Sequence, residues 1–191
     1  MILDQINKSI EVKKAIAANP DLVFLIQTIA DKCSEVYRSR GKTLLAGNGG
    51  SAADAQHIAG ELVNRFYLDR PGIPSIALTT DTSILTAIGN DYGFEQLFAR
   101  QLAAQGNKGD LFFAISTSGN SKNLIEALKV AREKEIITVG LTGASGGQMA
   151  DLCDYCLKVP SSETPRIQEC HILIGHIICS IVEENLFGHL K

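Results

Sequence analysis

The sequence lacks several features that would each indicate a specialised class of protein. It has no tryptophan, only 5 prolines against 17 glycines, and no block of like charges. The 18 Lys and Arg residues against 21 Asp and Glu residues give a net charge of -3, so no basic surface for nucleic acid or an acidic membrane is indicated. The apolar share of 45% and the charged share of 20% are close to the globular average, which excludes intrinsic disorder. We therefore expect neither a nucleic acid nor a membrane among the partners.

A long apolar segment is also missing. The longest such stretch, Ile172–Val182, is interrupted by His176 and Ser180 and falls well short of the roughly 20 residues that a membrane-spanning helix needs. The first residues include Asp4 and form no continuous apolar core, which does not match a secretory signal. We expect a cytoplasmic protein.

The cysteine content gives no disulfide framework. Five cysteines make an odd number at irregular spacing, which favours reduced thiols. Cys153 and Cys156 have the spacing of a redox or zinc pair, but no second such pair exists, and Cys156 falls in a predicted strand. We interpret both as structural.

The order of apolar patterns predicts an α/β protein. A length of 191 residues favours one domain over 1–191. Helical periodicity over 2–18 and 21–39, separated by Asn19 and Pro20, predicts two antiparallel helices at the N-terminus. Short apolar runs then predict buried parallel strands at 43–46, 75–78, 111–115, 136–141 and 155–159. Between and after them lie predicted helices at 51–67, 93–105, 121–134, 146–151 and 164–187. The predicted fold is a three-layer α/β/α sandwich with a doubly wound parallel sheet, whose ligands bind beyond the carboxyl ends of the strands.

Two loops at strand ends have the composition of phosphate-binding loops. Residues 47–51 read GNGGS and run into a helix, where glycines allow close backbone approach and free N–H groups attract an anion. The loop matches neither GxGxxG nor GxxxxGK[ST], which disfavours a nucleoside triphosphate. Residues 116–121 read STSGNS and offer a second nest of hydroxyl and amide donors. The alternative in each case is local capping, with Ser51 as an N-cap or the second loop's hydroxyls capping the next helix.

Two predicted helices carry a candidate metal and acid–base cluster. His57 and Glu61 are four residues apart, so they share one helix face and could hold a divalent metal or form a surface ion pair. The last helix offers Gln168, His171 and His176, and spacing does not decide which histidine joins Gln168. His171 could equally be a core or interface histidine.

The pair of Asn90 and Asp91, and two arginines, each have two interpretations. Asn90 and Asp91 could present polar groups to a ligand or form an ordinary turn after a short helix. Arg65 and Arg166 could each bind an anionic ligand or lie on a helix surface.

Three segments together resemble the phosphoheptose isomerases of the sugar isomerase (SIS) family. They are GNGGSAADAQHIAGE at 47–61, STSGNS at 116–121 and TPRIQECH at 164–171. The second is shared by many SIS domains, whereas the first, joined to the helix of Gln168 and His176, is more specific. The resemblance extends over nearly the whole chain, with no departure at the motif positions.

The resemblance implies a flavodoxin-like SIS fold with five parallel strands over 41–191. The helices over 1–40 are apolar beyond what a single sheet sandwich needs, which predicts that they are used in oligomerisation. The resemblance also implies a homotetramer with active sites between subunits and one Zn²⁺ per subunit. The implied zinc ligands are His57, Glu61, Gln168 and His176. The implied substrate-binding residues are Asn48, Gly49, Gly50, Ser51, Glu61, Asn90, Asp91, Ser116, Thr117, Ser118, Ser121 and Gln168.

The implied reaction converts D-sedoheptulose 7-phosphate to D-glycero-D-manno-heptose 7-phosphate, the first step toward the heptose of lipopolysaccharide or surface polysaccharide. Moving a proton between adjacent carbons through an enediol needs a base on carbon, an acid on oxygen and stabilisation of the oxyanion. Glu61 and His176 are the expected base and acid. The alternatives are a non-catalytic SIS regulator of the kind that associates with a replication initiator, an isomerase of another sugar phosphate, and a zinc hydrolase.

Overall fold

The computed structural model describes residues 1–190, and the chain opens with two helices as predicted. Helix α1 spans Ile2–Ala17 and helix α2 spans Pro20–Arg38. The Asn19 side chain accepts hydrogen bonds from the backbone N–H groups of Asp21 and Leu22, and Pro20 stands at the first helical position. These residues stop α1 and start α2 because Asn caps a free helix N-terminus and Pro needs no N–H partner there.

The sheet has five parallel strands in the order β2-β1-β3-β4-β5. The strands are β1 Thr43–Gly47, β2 Ser75–Ala77, β3 Leu111–Ile115, β4 Ile137–Thr142 and β5 Tyr155–Lys158. The register pairs Leu45 with Ala77 on one side and with Phe113 on the other. The predicted parallel sheet is confirmed, with strand ends shifted by one residue at most.

Alternate residues of the strands face two separate cores. Leu45, Phe113 and Val139 pack with α2, α3 and α7, whereas Leu44 and Phe112 pack with the helices of the opposite layer. Both faces of the sheet are therefore covered by helices, as the continuous apolar runs indicate, and the three-layer architecture is confirmed.

The remaining helices are α3 Gly50–Val63, α4 Thr82–Tyr92, α5 Leu97–Gln105, α6 Lys122–Glu133 and α7 Thr164–Phe187. Short 3₁₀ helices cover Phe94–Gln96, Gly147–Asp151 and Gly188–Leu190. The helix predicted over 93–105 is thus a 3₁₀ turn followed by α5. Gly93 separates it from α4, because its φ of +86° ends the helix after Tyr92.

The helix predicted over 51–67 was wrong at its end, since α3 stops at Val63. The backbone N–H groups of Phe66, Tyr67 and Leu68 donate to the side chain of Glu183 on α7 instead of continuing the helix. A partner more than a hundred residues away therefore sets this helix boundary.

Among the described residues, helix α7 is the one helix whose length and apolar composition would by themselves allow it to cross a membrane. It lies within the protein, where it packs against α2 and α3. Ile174, Ile178 and Val182 are buried in the same core as Leu45 and Phe113. Its apolar character is that of a core helix.

Candidate active site

The chain direction through the sheet reverses between β1 and β3. The chain moves from β1 outward to β2 and later returns to β3 on the other side of β1. Loops that follow strands at such a point diverge and leave a crevice for a ligand. The loops after β1 and β3 therefore lie side by side, and a reciprocal amide pair joins the first loop to the start of α6, the helix that follows the second loop. Asn48 Nδ2 donates to Asn123 Oδ1 at 3.0 Å, and Asn123 Nδ2 donates to Asn48 Oδ1 at 2.8 Å.

The loop after β1 uses glycine where side chains would not fit. Gly49 has a φ of +55°. A Cβ at Gly47 would lie 2.5 Å from Ser51 O, and one at Gly50 would lie 2.6 Å from Gln168 Nε2. Ser51 is buried in the first turn of α3 and is not its N-cap, which is Gly49. The capping interpretation of Ser51 is therefore wrong, and no side chain caps the N-terminus of α3.

The loop after β3 gathers three hydroxyl groups. The buried Ser116 Oγ lies 2.9 Å from Ser121 Oγ and 3.4 Å from Ser118 Oγ. Ser121 is the N-cap residue of α6, but its side chain makes no capping hydrogen bond. The hydroxyls therefore point toward one another. The alternative interpretation, in which they cap helix α6, is wrong for Ser121.

A cavity of about 300 Å³ adjoins this loop. Its lining carries hydroxyl, amide and apolar groups and no charged side chain: Thr117, Ser118, Asn120, Gly143, Ala144, Ser145, Ser161, Ser162, Thr164 and Ile167. Dipoles and hydroxyls would be the means of binding an anion here.

The structure brings His57, Glu61 and His176 together. His57 Nε2 lies 3.1 Å from Glu61 Oε1 and 3.1 Å from His176 Nε2, and the candidate ligand atoms all lie within 4.8 Å of one another. The two imidazole rings meet edge to face with centroids 4.9 Å apart. The side chains remain open to solvent, with 49% of His57 and 26% of Glu61 exposed. A simple surface ion pair of His57 and Glu61 does not account for the third group.

The donor set of this cluster fits a zinc ion. In a tetrahedral site with Zn–N distances of about 2.0–2.1 Å, two ligand nitrogens lie roughly 3.3 Å apart. The 3.1 Å between the Nε2 atoms of His57 and His176 is close to that separation. Two histidines and one carboxylate are also a ligand set that catalytic zinc uses with further positions open.

The two candidates on the first half of α7 lie in different surroundings. The Gln168 carboxamide lies against Gly50 at the start of α3, so it faces the loop after β1. His171 is fully buried, and its Nε2 lies 3.2 Å from the backbone oxygen of Thr142. Burial lowers the pKa of His171 to about 4, so this side chain is neutral. His176, not His171, joins the pair on α3, and His171 is the core histidine of the alternative interpretation.

The remaining predicted groups are distributed over the surface and the helix contacts. Asn90 and Asp91 lie in the last turn of α4, so the prediction that they follow this helix was wrong. They are exposed and hydrogen-bonded to each other. Arg166 is buried and donates to the Gln5 backbone oxygen, so it joins α1 to α7. Arg65 is exposed.

Sequence reasoning missed Asp54, which lies in α3 one turn before His57. Its Oδ2 atom is buried without a hydrogen-bond partner among the described residues. Burial raises the pKa of Asp54 to about 6, and the charge of His57 acts in the opposite direction. The spacing of three residues from His57 was the available signal.

A buried ion pair behind the cluster was also missed. Arg70 Nε donates to Glu183 Oε1 at 2.9 Å, with 1% and 3% of the two side chains exposed. The partners are 113 positions apart in the sequence, and no local pattern links them.

The cysteine pair lies on the far side of the sheet. A Cβ at Gly140 would lie 2.9 Å from the sulfur of Cys153 and 3.5 Å from that of Cys156, so both sulfurs pack on this glycine, and both are free thiols. Burial raises the pKa of Cys153 to about 12, so the thiol stays protonated. These contacts support the structural interpretation.

Comparison with known proteins gives consistent matches. A model of the SIS domain matches residues 10–143. The chain is 68% identical to a phosphoheptose isomerase of Aneurinibacillus thermoaerophilus over 97% of this chain and 94% of that protein. It is 69% identical to phosphoheptose isomerase 2 of Campylobacter jejuni over 94% of this chain and 90% of that protein. The solved phosphoheptose isomerase of Neisseria gonorrhoeae superposes with a TM-score of 0.90 at 42% identity, covering 96% and 97% of the two chains.

Proposed function

We infer the function of this chain from its family, because the chain belongs to the SIS domain family and, within it, to the phosphoheptose isomerases. It is an aldose–ketose isomerase that converts D-sedoheptulose 7-phosphate to D-glycero-D-manno-heptose 7-phosphate. The convergence of His57, Glu61 and His176 is the observation in the structure that carries this function. These groups provide acid–base chemistry near loops suited to a phosphate monoester.

The phosphate end of the substrate would bind at the two loops. The proposed contacts are Asn48, Gly49, Gly50, Ser51, Ser116, Thr117, Ser118 and Ser121. The glycines allow the phosphate to approach the backbone, and the N-terminus of α3 favours negative charge. The hydroxyls of Ser116 and Ser121, which lie 2.9 Å apart, would donate to the phosphate, and the adjoining cavity carries no charged side chain in its lining. Anchoring this end places the reacting carbons, which lowers the entropic part of the barrier.

Glu61 and His176 are the proposed catalytic residues. Glu61 would remove the proton from the carbon beside the carbonyl and return it to the neighbouring carbon. His176 would move the proton between the two oxygens. Proton transfer by positioned side chains contributes about 10²- to 10⁴-fold to a rate. Gln168, whose carboxamide lies on Gly50, is proposed to bind the sugar between the phosphate and these groups.

We propose His57, Glu61, Gln168 and His176 as ligands of one Zn²⁺ per subunit. A bound zinc ion would act as a Lewis acid that polarises the carbonyl oxygen. His57 then serves only as a ligand, whereas Glu61 has two tasks. A carboxylate bound to a metal is a weaker base, so either Glu61 would alternate between the roles of ligand and base, or the zinc would be loosely held.

The whole chain is proposed to form one SIS domain that assembles as a homotetramer, with 1–40 used in assembly and 41–191 as the α/β core. The support is an exposed apolar face on the N-terminal helices, where each side chain is at least 41% exposed: Ile2, Leu3, Ile6, Ile10 and Phe24. Monomeric proteins rarely leave such a surface uncovered. Active sites between subunits would give the exposed Asn90 and Asp91 a substrate to bind.

We place the enzyme in the cytoplasm, at the first step toward heptose for lipopolysaccharide or another surface polysaccharide. Two alternative functions are less well supported. A non-catalytic regulator would have no chemical reason to keep Glu61, Gln168 and His176 together. A zinc hydrolase would not need two loops suited to binding a phosphate.

The direct test is an NMR assay with D-sedoheptulose 7-phosphate and zinc, comparing the wild type with His176→Ala and with His189→Ala as the matched control. His189 is exposed in the C-terminal 3₁₀ helix and outside the cluster. We expect product from the wild type and His189→Ala, and at least a 100-fold lower rate from His176→Ala. Absence of turnover by the folded wild type would overturn the proposal.

A further inference from the structure

The two halves of the His–Glu cluster come from different helices. His57 and Glu61 lie on α3, and His176 lies on α7. The 3.1 Å between the two Nε2 atoms therefore depends on how these helices are held against each other. A shift of one helix by about 1 Å would separate the ligand atoms, so a dedicated link between α3 and α7 has a functional consequence.

Arg70 supplies one side of such a link. Its Nη2 donates to the backbone oxygen of Glu61 at 2.9 Å, and its Nη1 donates to that of Leu62 at 2.7 Å. These carbonyls belong to the last turn of α3 and have no partner within the helix. A cation at a helix C-terminus also interacts favourably with the helix dipole. Arg70 thus holds the turn of α3 that carries Glu61.

Glu183 supplies the other side from α7, two turns beyond His176. Its Oε1 accepts from Phe66 N at 3.0 Å and from Arg70 Nε at 2.9 Å. Its Oε2 accepts from Tyr67 N at 2.7 Å and from Leu68 N at 3.0 Å. Both oxygens are fully used, and the carboxylate is almost completely buried.

The segment held by Glu183 also reaches the cluster directly. The Phe66 ring lies against the His176 ring, with centroids 5.8 Å apart and planes 30° from parallel. The hydrogen bond from Phe66 N to Glu183 therefore holds the backbone of the residue whose ring packs on His176. On the other side, the Arg70 guanidinium lies 5.7 Å from the centre of the Phe187 ring near the end of α7.

We propose that Arg70 and Glu183 form a buried clamp that positions the ligand atoms of His57, Glu61 and His176 for metal binding and proton transfer. Arg70 and Glu183 are positioning residues, because neither touches a reacting atom. The inference deepens the proposed function and rests on it for its catalytic consequence, but the geometry of the three side chains can be measured without turnover.

The test compares Glu183→Gln with a matched control, Asp110→Asn. Lys42 and Asp110 form another ion pair in which the carboxylate is buried, with Lys42 Nζ 2.6 Å from Asp110 Oδ2. Asp110 also accepts backbone hydrogen bonds, but it lies at the opposite end of the sheet, where β1 and β3 begin. Both variants neutralise a buried carboxylate with little change in volume, so a general loss of stability should affect them alike.

The first measurement is the zinc affinity of each metal-free protein, determined by competition with a chromophoric chelator. We expect Glu183→Gln to weaken zinc binding about 10- to 100-fold, as removal of the groups that orient metal ligands does. Asp110→Asn should bind zinc like the wild type. Equal affinities in all three proteins, or equal losses in both variants, would overturn the clamp.

The second measurement needs neither zinc nor substrate. Ring ¹H–¹⁵N correlation spectra of the metal-free proteins should show altered His57 and His176 signals in Glu183→Gln and wild-type signals in Asp110→Asn. If Glu183→Gln does not fold, Arg70→Lys keeps the positive charge beside Glu183 but loses the planar fork that bonds Glu183 and the end of α3 together, and it should shift the His57 and His176 signals. Unchanged ring signals in a folded variant would contradict the proposal. Because these spectra are independent of turnover, an inactive wild type would overturn the isomerase assignment and leave the clamp testable.

Discussion

The two regions of the candidate site use different physical means. The loops after β1 and β3 offer neutral hydroxyls and backbone dipoles, gathered around the buried Ser116. The cluster of His57, Glu61 and His176 offers groups that can change charge, and it is linked from behind to the ion pair of Arg70 and Glu183. A neutral anchor of this kind would hold the phosphate of the proposed substrate at any protonation state of the cluster. Binding and chemistry should therefore respond to different substitutions.

The largest difference between an effect on chemistry and an effect on substrate binding is expected from Glu61→Gln. The amide keeps the shape of the side chain but cannot accept the carbon proton, so kcat should fall about 1000-fold or more. Calorimetric titration with D-sedoheptulose 7-phosphate should show an affinity within a few-fold of the wild type, because the phosphate loops are unchanged. Near-normal turnover would remove Glu61 from the role of base.

Chelation of metal should also affect only the cluster. Dialysis against a chelator is expected to reduce kcat at least 100-fold, with recovery on addition of zinc, because Lewis-acid stabilisation contributes several kcal/mol to such a transition state. Inorganic phosphate should bind equally to the treated and untreated protein in the same titration. Full activity after demonstrated removal of all metal would contradict the proposed zinc site.

Ser116→Ala is expected to have a smaller effect, on substrate binding and not on the chemical step. This substitution removes the hydroxyl around which Ser118 and Ser121 gather, and a hydrogen bond to a charged group is worth about 1.5–3 kcal/mol. KM should rise about tenfold or more, while zinc affinity stays unchanged. Steady-state kinetics and the chelator competition together test this. A wild-type KM with a reduced kcat would assign the loop to chemistry and not to anchoring.

The smallest effect concerns Asp54. Burial raises the pKa of this carboxyl group from 3.8 to about 6. The folded metal-free protein then holds a proton that the unfolded chain releases near pH 4, so the free energy of unfolding should fall as pH rises from about 4 to 6. Since Asp54 is about half-buried, we expect only about 1 kcal/mol after allowing for solvent screening. Asp54→Asn should remove this contribution and gain stability at pH 7 relative to the wild type in urea unfolding. Identical pH dependence of the two proteins would contradict the raised pKa.

Local patterns in the sequence were sufficient for most of the fold. Continuous apolar runs gave the parallel strands, and Asn19 with Pro20 gave the break between α1 and α2. The end of α3 was misplaced because Glu183, far along the chain, takes the N–H groups that would have continued the helix. Propensity acts over a few residues and contains no information on such a partner.

The candidate site was predictable in its residue types and less so in its pairing. Spacing placed His57 and Glu61 on one face, but only the packing of α7 on α3 selects His176 and buries His171. Asn48 with Asn123 and Arg70 with Glu183 are contacts between distant positions, so the groups that position the site stayed hidden.

The central claim is most directly tested by running the reaction in D₂O and following the hydrogens of the sugar by NMR. We predict that the wild-type protein with zinc forms the aldose and incorporates solvent deuterium at carbon 2, since an enediol route passes the proton through Glu61. Glu61→Gln should give neither product nor deuterium. Conversion and deuterium incorporation at the wild-type rate by folded Glu61→Gln would contradict the assignment of the base.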